Sequence, residues 1–313
     1  MSRSRDIADS TKTLGVDGGT IKLDGNYPVG TQNVALGDTA LDSVAADGNY
    51  NTAIGHASLT ANTTGDTNSA LGRESLLSNT TGSSNTAVGY TALLNNTTAS
   101  YNTAVGYQAA YSITGSQYNT AIGRGALYSH TTGNGGNVAV GYDANRSLTT
   151  GSNNVSVGAN AAYAMTTGLY NVALGGNALR SNTTASNNTA VGYQAGYANT
   201  TGTENIFIGD GAGKTSTTAN GIVAVGRNSL EDNTGNSNTA VGFATLSNNT
   251  SGINNTALGG ANYGFTGGAM HLNTTGSYNT ALGNQALHSN TTASNNTAVG
   301  YQSLYANTTG SAL

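Results

Sequence analysis

Cysteine and tryptophan are absent from this chain of 313 residues, and proline occurs once. Without cysteine, no disulfide can staple the fold. Charged residues make up only 8% of the sequence, against about 25% in typical globular domains. The net charge of −4 comes without a basic run, which argues against nucleic acid as a partner. No apolar stretch reaches the roughly 20 residues of a membrane-spanning helix, so no membrane span is expected. The opening Met1, Ser2, Arg3, Ser4, Arg5, Asp6 lacks the apolar core of a secretory signal. The same shortages oppose disorder, because disordered chains are usually rich in charge and proline.

What fills the chain is one repeated phrase: Asn-Thr-Ala-Val-Gly, then a small residue and a Leu, then Asn-Thr-Thr-Gly, as in residues 85–89 followed by Ala92, Leu93 and residues 96–98. The closing glycine recurs at Gly37, Gly55, Gly72, Gly89, Gly106, Gly123, Gly141, Gly158, Gly175, Gly192, Gly209, Gly226, Gly242, Gly259, Gly283 and Gly300. The step is 17 residues, except for 18 before Gly55 and Gly141, 16 before Gly242 and 24 before Gly283. The last exception marks an insertion, at about 260–273, that carries Tyr263 and Phe265. A fixed period in the tens of residues is the mark of a solenoid or array, not of a globular enzyme.

The expected fold is therefore all-β, a parallel β-solenoid (β-roll) of about sixteen 17-residue coils. Gly, Asn and Thr at this density oppose the helical alternative. At a strand spacing of about 4.8 Å, sixteen coils would span about 75 Å. Residues 31–313 form the array. Residues 1–30 lie outside it and hold a third of all charges, 8 of 24, and Pro28; they are expected to be an attachment segment.

Positions are counted from the closing glycine, the next residue being +1. The residue before the glycine is always Val, Ile or Leu, and the one three before it is usually Thr, but Val at Val34, Val138, Val155 and Val172, and Ile at Ile206. Two apart and both accepting β-branched groups, they share one face of a short strand, expected to point inward with the intervening Ala outward. Leu at +4 is expected as a second inward anchor. At +7, Asn alternates with Val44, Ile113, Leu148 and Met165, so this position is expected to be enclosed, its amides forming a ladder between coils and to turn backbone. The Thr-Thr-Gly that follows is expected to supply a second strand and corner. Open solenoid ends expose strand edges, so assembly or another protein is expected to cover the end at Ala312 and Leu313.

Tyrosine is the most informative residue outside this pattern. Fifteen of seventeen fall at three phases. Tyr90, Tyr107, Tyr142, Tyr193 and Tyr301 lie at +1; Tyr111, Tyr128, Tyr163, Tyr197 and Tyr305 at +5; Tyr50, Tyr101, Tyr118, Tyr170 and Tyr278 just before the next phrase. In a solenoid one phase becomes one stripe, and aromatic stripes pack against a sister chain or bind sugar rings. Thr-Thr pairs suggest an ice-binding face, but Asn and Gly interrupt them. Residues 209–215 mimic a phosphate loop, yet Ile208 stands where its first glycine belongs. His56, His130, His271 and His288 are scattered, and no acidic pair recurs. No metal, cofactor or acid–base pair is expected, and the chain reads as non-enzymatic.

The phrase at 102–106 and 188–192 resembles the Asn-Ser-Val-Ala-Ile-Gly repeats in heads of YadA-type trimeric autotransporter adhesins, whose repeat is shorter. It resembles more closely the repeat-bearing tail-fibre and virion proteins of marine bacteriophages and cyanophages, which carry similar strings to residues 102–110, 188–195 and 296–304 and open like residues 2–9. The resemblance implies a virion fibre, assembled in the host cytoplasm as a homotrimer. Residues 1–30, with Arg3, Arg5 and Asp6, would dock to other virion proteins, and the fibre would contact a host surface glycan. The adhesin resemblance implies instead a bacterial cell surface.

Overall fold

A computed structural model describes residues 14–16, 19–21, 32–261 and 267–313. Leu14–Val16 and Gly19–Ile21 pair as an antiparallel hairpin. The rest is a parallel β-solenoid, with no helix among the described residues. It falls into two compact units, Met1–Asn153 and Asn154–Leu313. Besides the hairpin, the first contains seven three-residue strands from Val34–Leu36 to Val138–Val140, and the second contains nine from Val155–Val157 to Thr297–Val299.

Within each unit every coil pairs in parallel with the next at the repeat step, as in Thr86↔Thr103, Ala87↔Ala104 and Val88↔Val105. Hydrogen bonding between coils continues through the turn. Gly106 N–H donates back to Val88 C=O at 2.8 Å, Gln108 N–H back to Tyr90 C=O at 3.0 Å, and Ala110 N–H forward to Ala126 C=O at 2.9 Å. Residues in left-handed conformation make this alternation possible. Position +2 (Gln108, φ 55°), position +4 (Leu93, φ 51°) and the residue before the first Asn of the phrase (Tyr101, φ 62°) all have positive φ. Such a backbone costs an L-residue roughly 1–2 kcal/mol; the coil-to-coil bonds and burial offset it.

The strand faces are the reverse of the expected ones. The central Ala of the strand is buried, and the Thr and Val on either side are half-buried or exposed. The reason is volume. A 17-residue coil has room inside for Ala at the strand centre and at +3, Leu at +4 and two Asn, but not for a further row of Val. The expected second strand is also absent from the described coils, each of which carries a single strand. The Thr-Thr segment is held differently: Thr63, Thr80 and Thr97 each donate a hydroxyl to the carbonyl of the same position one coil on, at 3.0, 3.0 and 3.1 Å. Those hydroxyls are structural bonds rather than a free array.

The closing glycine of the phrase forms a corner, and the expected inward Leu at +4 is found. The corner glycine has φ near 130° throughout, as at Gly89 (134°), and an added Cβ there would lie 2.6 Å from the Gly106 carbonyl oxygen. Leu at +4 is fully buried in Leu41, Leu59, Leu76, Leu93 and Leu127. Where +4 shrinks, +7 grows: Ala110 goes with Ile113, Asn145 with Leu148 and Ala162 with Met165. Volume is conserved within the coil, as close packing demands.

Candidate functional site

Two asparagine ladders line the interior. The expected one, at +7, links Asn62, Asn79 and Asn96 through Nδ2-to-Oδ1 bonds of 2.8 and 2.7 Å, and each of these amides also donates to the carbonyl three residues on, as Asn79 does to Gly82 at 2.9 Å. The other is the first residue of the phrase, which the sequence reading left without a role. Asn102 Oδ1 accepts from the Asn119 backbone N–H at 2.9 Å and from its Nδ2 at 3.0 Å, while Asn102 Nδ2 donates to Ser116 C=O at 2.9 Å. Asn51, Asn68, Asn85, Asn137, Asn154, Asn171, Asn188 and Asn205 hold the same position and are all buried. Its invariance through most of the repeat was the available signal.

His130 occupies the +7 position in its coil and is fully buried, with Nε2 2.8 Å from Ser116 Oγ. Burial pulls its pKa from 6.5 to about 4, partly offset by the Thr149 backbone. The unfolded chain thus binds this proton near pH 6.5 and the folded chain only near pH 4, so stability falls as pH drops between those values. The expected loss is about 3 kcal/mol by pH 4. His271, lowered by burial in the same direction, adds to it. Thermal melts across pH 4–8 read the slope, and His130→Asn, which restores the common ladder residue, is expected to remove most of it.

The outer edge of the turn carries the tyrosine stripes. All six Lys and Arg residues of the array, Arg73, Arg124, Arg146, Arg180, Lys214 and Arg227, also fall at +1 or +5, a regularity the sequence reading did not use. In the first unit the +1 column stacks Tyr90 on Tyr107 with centroids 5.6 Å apart. Arg73 lies 5.6 Å from the Tyr90 ring. Arg124 sits 5.8 Å from Tyr107 and 5.2 Å from Tyr142, and donates to Tyr142 OH at 2.9 Å. The +5 column stacks Tyr111 on Tyr128 at 5.0 Å, with Arg146 4.7 Å from Tyr128 and paired to Asp143 at 2.9 Å. The third stripe stacks Tyr101 on Tyr118 at 5.1 Å, with planes 1° apart.

In the second unit, Arg180 lies 5.4 Å from Tyr163 and 5.8 Å from Tyr197. His271, His288 and Tyr305 form one stack, with centroids 5.6 and 4.9 Å apart. These two histidines are not scattered. His288 stands at +5, and His271, which the insertion displaces in the count, occupies the same column. Tyr50, Tyr170, Tyr193, Tyr278 and Tyr301 are exposed and stand outside the ring stacks.

Tyr263, Phe265, Arg3, Arg5 and Asp6 lie outside the described residues. Gly209, Gly211 and Gly213 keep repeat register with positive φ and no helix follows them, so the context of a phosphate loop is missing. Among the described residues, no three His, Asp or Glu are placed to hold a metal. No helix there is long and apolar enough to cross a membrane. No known protein family, curated protein or solved structure matches the chain.

Proposed function

We propose that this chain is a non-enzymatic, fibre-type structural protein of a phage particle, joined to it through residues 1–30 and associated with copies of itself as a parallel homotrimer. The observation that carries the reading is the outward residue before each corner glycine. It is Val, Ile or Leu in all sixteen coils, although it faces out and is 49% exposed in Leu71, 40% in Ile122 and 46% in Leu282. An aliphatic column along the surface of each unit costs solubility unless something covers it. A second copy, repeating at the same strand spacing, meets it row for row. Side-by-side packing of coils is also what the resemblance to tail-fibre and adhesin-head repeats implies.

Sedimentation of the isolated protein tests this directly. A trimer is expected for the native chain, and monomers for the triple variant Val88→Glu, Val105→Glu, Ile122→Glu, with the β-type circular dichroism unchanged because these side chains point outward. A native monomer would defeat the proposal. Labelled antibodies seen on particles by electron microscopy are expected to place it on a fibre.

A further inference from the structure

Six tyrosines of the outer edge have one ring face covered by a neighbouring tyrosine. Tyr90, Tyr107, Tyr101, Tyr118, Tyr111 and Tyr128 lie face to face with the ring one coil away. A sugar cannot enter between the paired rings, and the stacks read as structural seals.

Tyr193 differs. It stands at +1, where the preceding coil has Gly176 and the following coil has Asp210. Gln194 N–H donates to Gly176 C=O and Gly211 N–H to Tyr193 C=O, both at 3.0 Å, so the three +1 residues are held in line. The ring leans over Gly176, where an added Cβ would sit 3.5 Å from Tyr193 Cδ2. Among the described residues no ring or guanidinium covers Tyr193, and it is exposed. Asp210 is exposed and short, so it leaves the ring free while offering two carboxylate acceptors. On the same turns, the Arg180 guanidinium is held between Tyr163 and Tyr197, donating to Tyr197 OH at 3.4 Å.

We propose that Tyr193 is the platform of a carbohydrate subsite that takes a neutral pyranose of a polysaccharide. The apolar face of the sugar lies on the open ring, vicinal hydroxyls donate to Asp210, and the Gln194 amide supplies a further polar contact. In the +1 column the group next to the Tyr193 ring is the Asp210 carboxylate, which repels an acidic sugar and accepts from the hydroxyls of a neutral one. The inference rests on the reading of the chain as an exposed fibre, and names the class of surface it would touch.

The test is titration of the full chain with neutral oligosaccharides (hexaoses of mannose, galactose and glucose), with an alginate hexaose as the charged control. At least one neutral hexaose is expected to bind, with alginate at least tenfold weaker. Tyr193→Ala is expected to weaken binding at least tenfold. So is Gly176→Tyr, which places at +1 the residue found there in five other coils and covers the ring without disturbing the fold. Tyr101→Ala, in a stacked pair, is expected to leave binding unchanged. Binding that survives both site variants, binding of alginate alone, or no binding by any neutral hexaose would overturn the subsite. None of these results touches the sedimentation test of the fibre.

Discussion

Asn102→Ala is expected to destabilise the first unit by about 2–6 kcal/mol. The substitution removes the acceptor for the Asn119 N–H and the donor to Ser116 C=O, stranding two buried backbone groups at about 1–3 kcal/mol each. Thr103→Ala, on the outer face one residue away, is expected to cost about 0.5 kcal/mol or less. Denaturant unfolding measures the difference, and amide exchange at Asn119 locates it. Because each coil is supported only by its neighbours, the loss is expected to spread to the adjoining coils first. A cost below about 1 kcal/mol would show that the ladder is not what holds the coils together.

The chain contains the converse experiment. Ile222 replaces the inner Asn in one coil, and Asn238 in the next then turns its Nδ2 to Asn233 Oδ1 of the other ladder, at 3.1 Å. Ile222→Asn is expected to return a ladder acceptor to Asn238 and to raise stability by about 1 kcal/mol.

Phe207 supplies the second large effect. It takes the place of the central strand Ala and is fully buried, and the coils that receive its ring have Gly196 and Gly213 at +4 where Leu is usual. A Cβ on either glycine would run into the ring. Phe207→Ala alone is expected to cost about 3–5 kcal/mol through the cavity left behind. Gly213→Leu alone is expected to cost about 1–3 kcal/mol or more through overpacking. Together, Phe207→Ala, Gly196→Leu and Gly213→Leu rebuild the common coil, because Leu already adopts this backbone elsewhere: Gly196 and Gly213 have φ of 59° and 58°, and Leu59 and Leu127 have 52° and 53°. The triple variant is expected to return to within about 1 kcal/mol of the native chain, a non-additivity that marks residues in contact. If the three costs simply add, the volume exchange is not real.

How much of this was legible in the sequence can be traced residue by residue. The period predicted the solenoid because a coil that stacks on its copies must repeat its inward residues at one phase. The exchange of Asn for Ile113 and Met165 at +7 marked that position as enclosed, since no exposed site has reason to trade an amide for an apolar group. The strand faces were misjudged because Thr103 and Val105 are larger and more apolar than Ala104, and apolarity was read as inwardness. The interior of so small a coil selects by size instead, and the aliphatic residues were left for the surface. Left-handed Leu93 and Gln108 could not be foreseen, since nothing in their side chains favours positive φ; the demand comes from bonding to the coils above and below. The +1 and +5 stripes were visible in the sequence, but the stacking of Tyr101 on Tyr118, which separates closed rings from the open ring of Tyr193, depends on the distance between coils.

The central claim is that residues one period apart lie side by side in neighbouring coils, with a fixed set facing in. Thr67 and Ser84 are exposed, 17 residues apart, and their hydroxyl oxygens are 3.0 Å from each other. Since the chain has no cysteine of its own, a double substitution there reports on this register alone. Thr67→Cys with Ser84→Cys is expected to close an intrachain disulfide in air, within the usual Cα range of about 4.4–6.8 Å, and to raise the unfolding free energy as a loop of 17 residues should, by about 3 kcal/mol. Thr67→Cys with Asn85→Cys, one residue further on and facing the interior, is expected to stay reduced. Closure of the second pair as readily as the first, or failure of the first, would contradict the stacked coil.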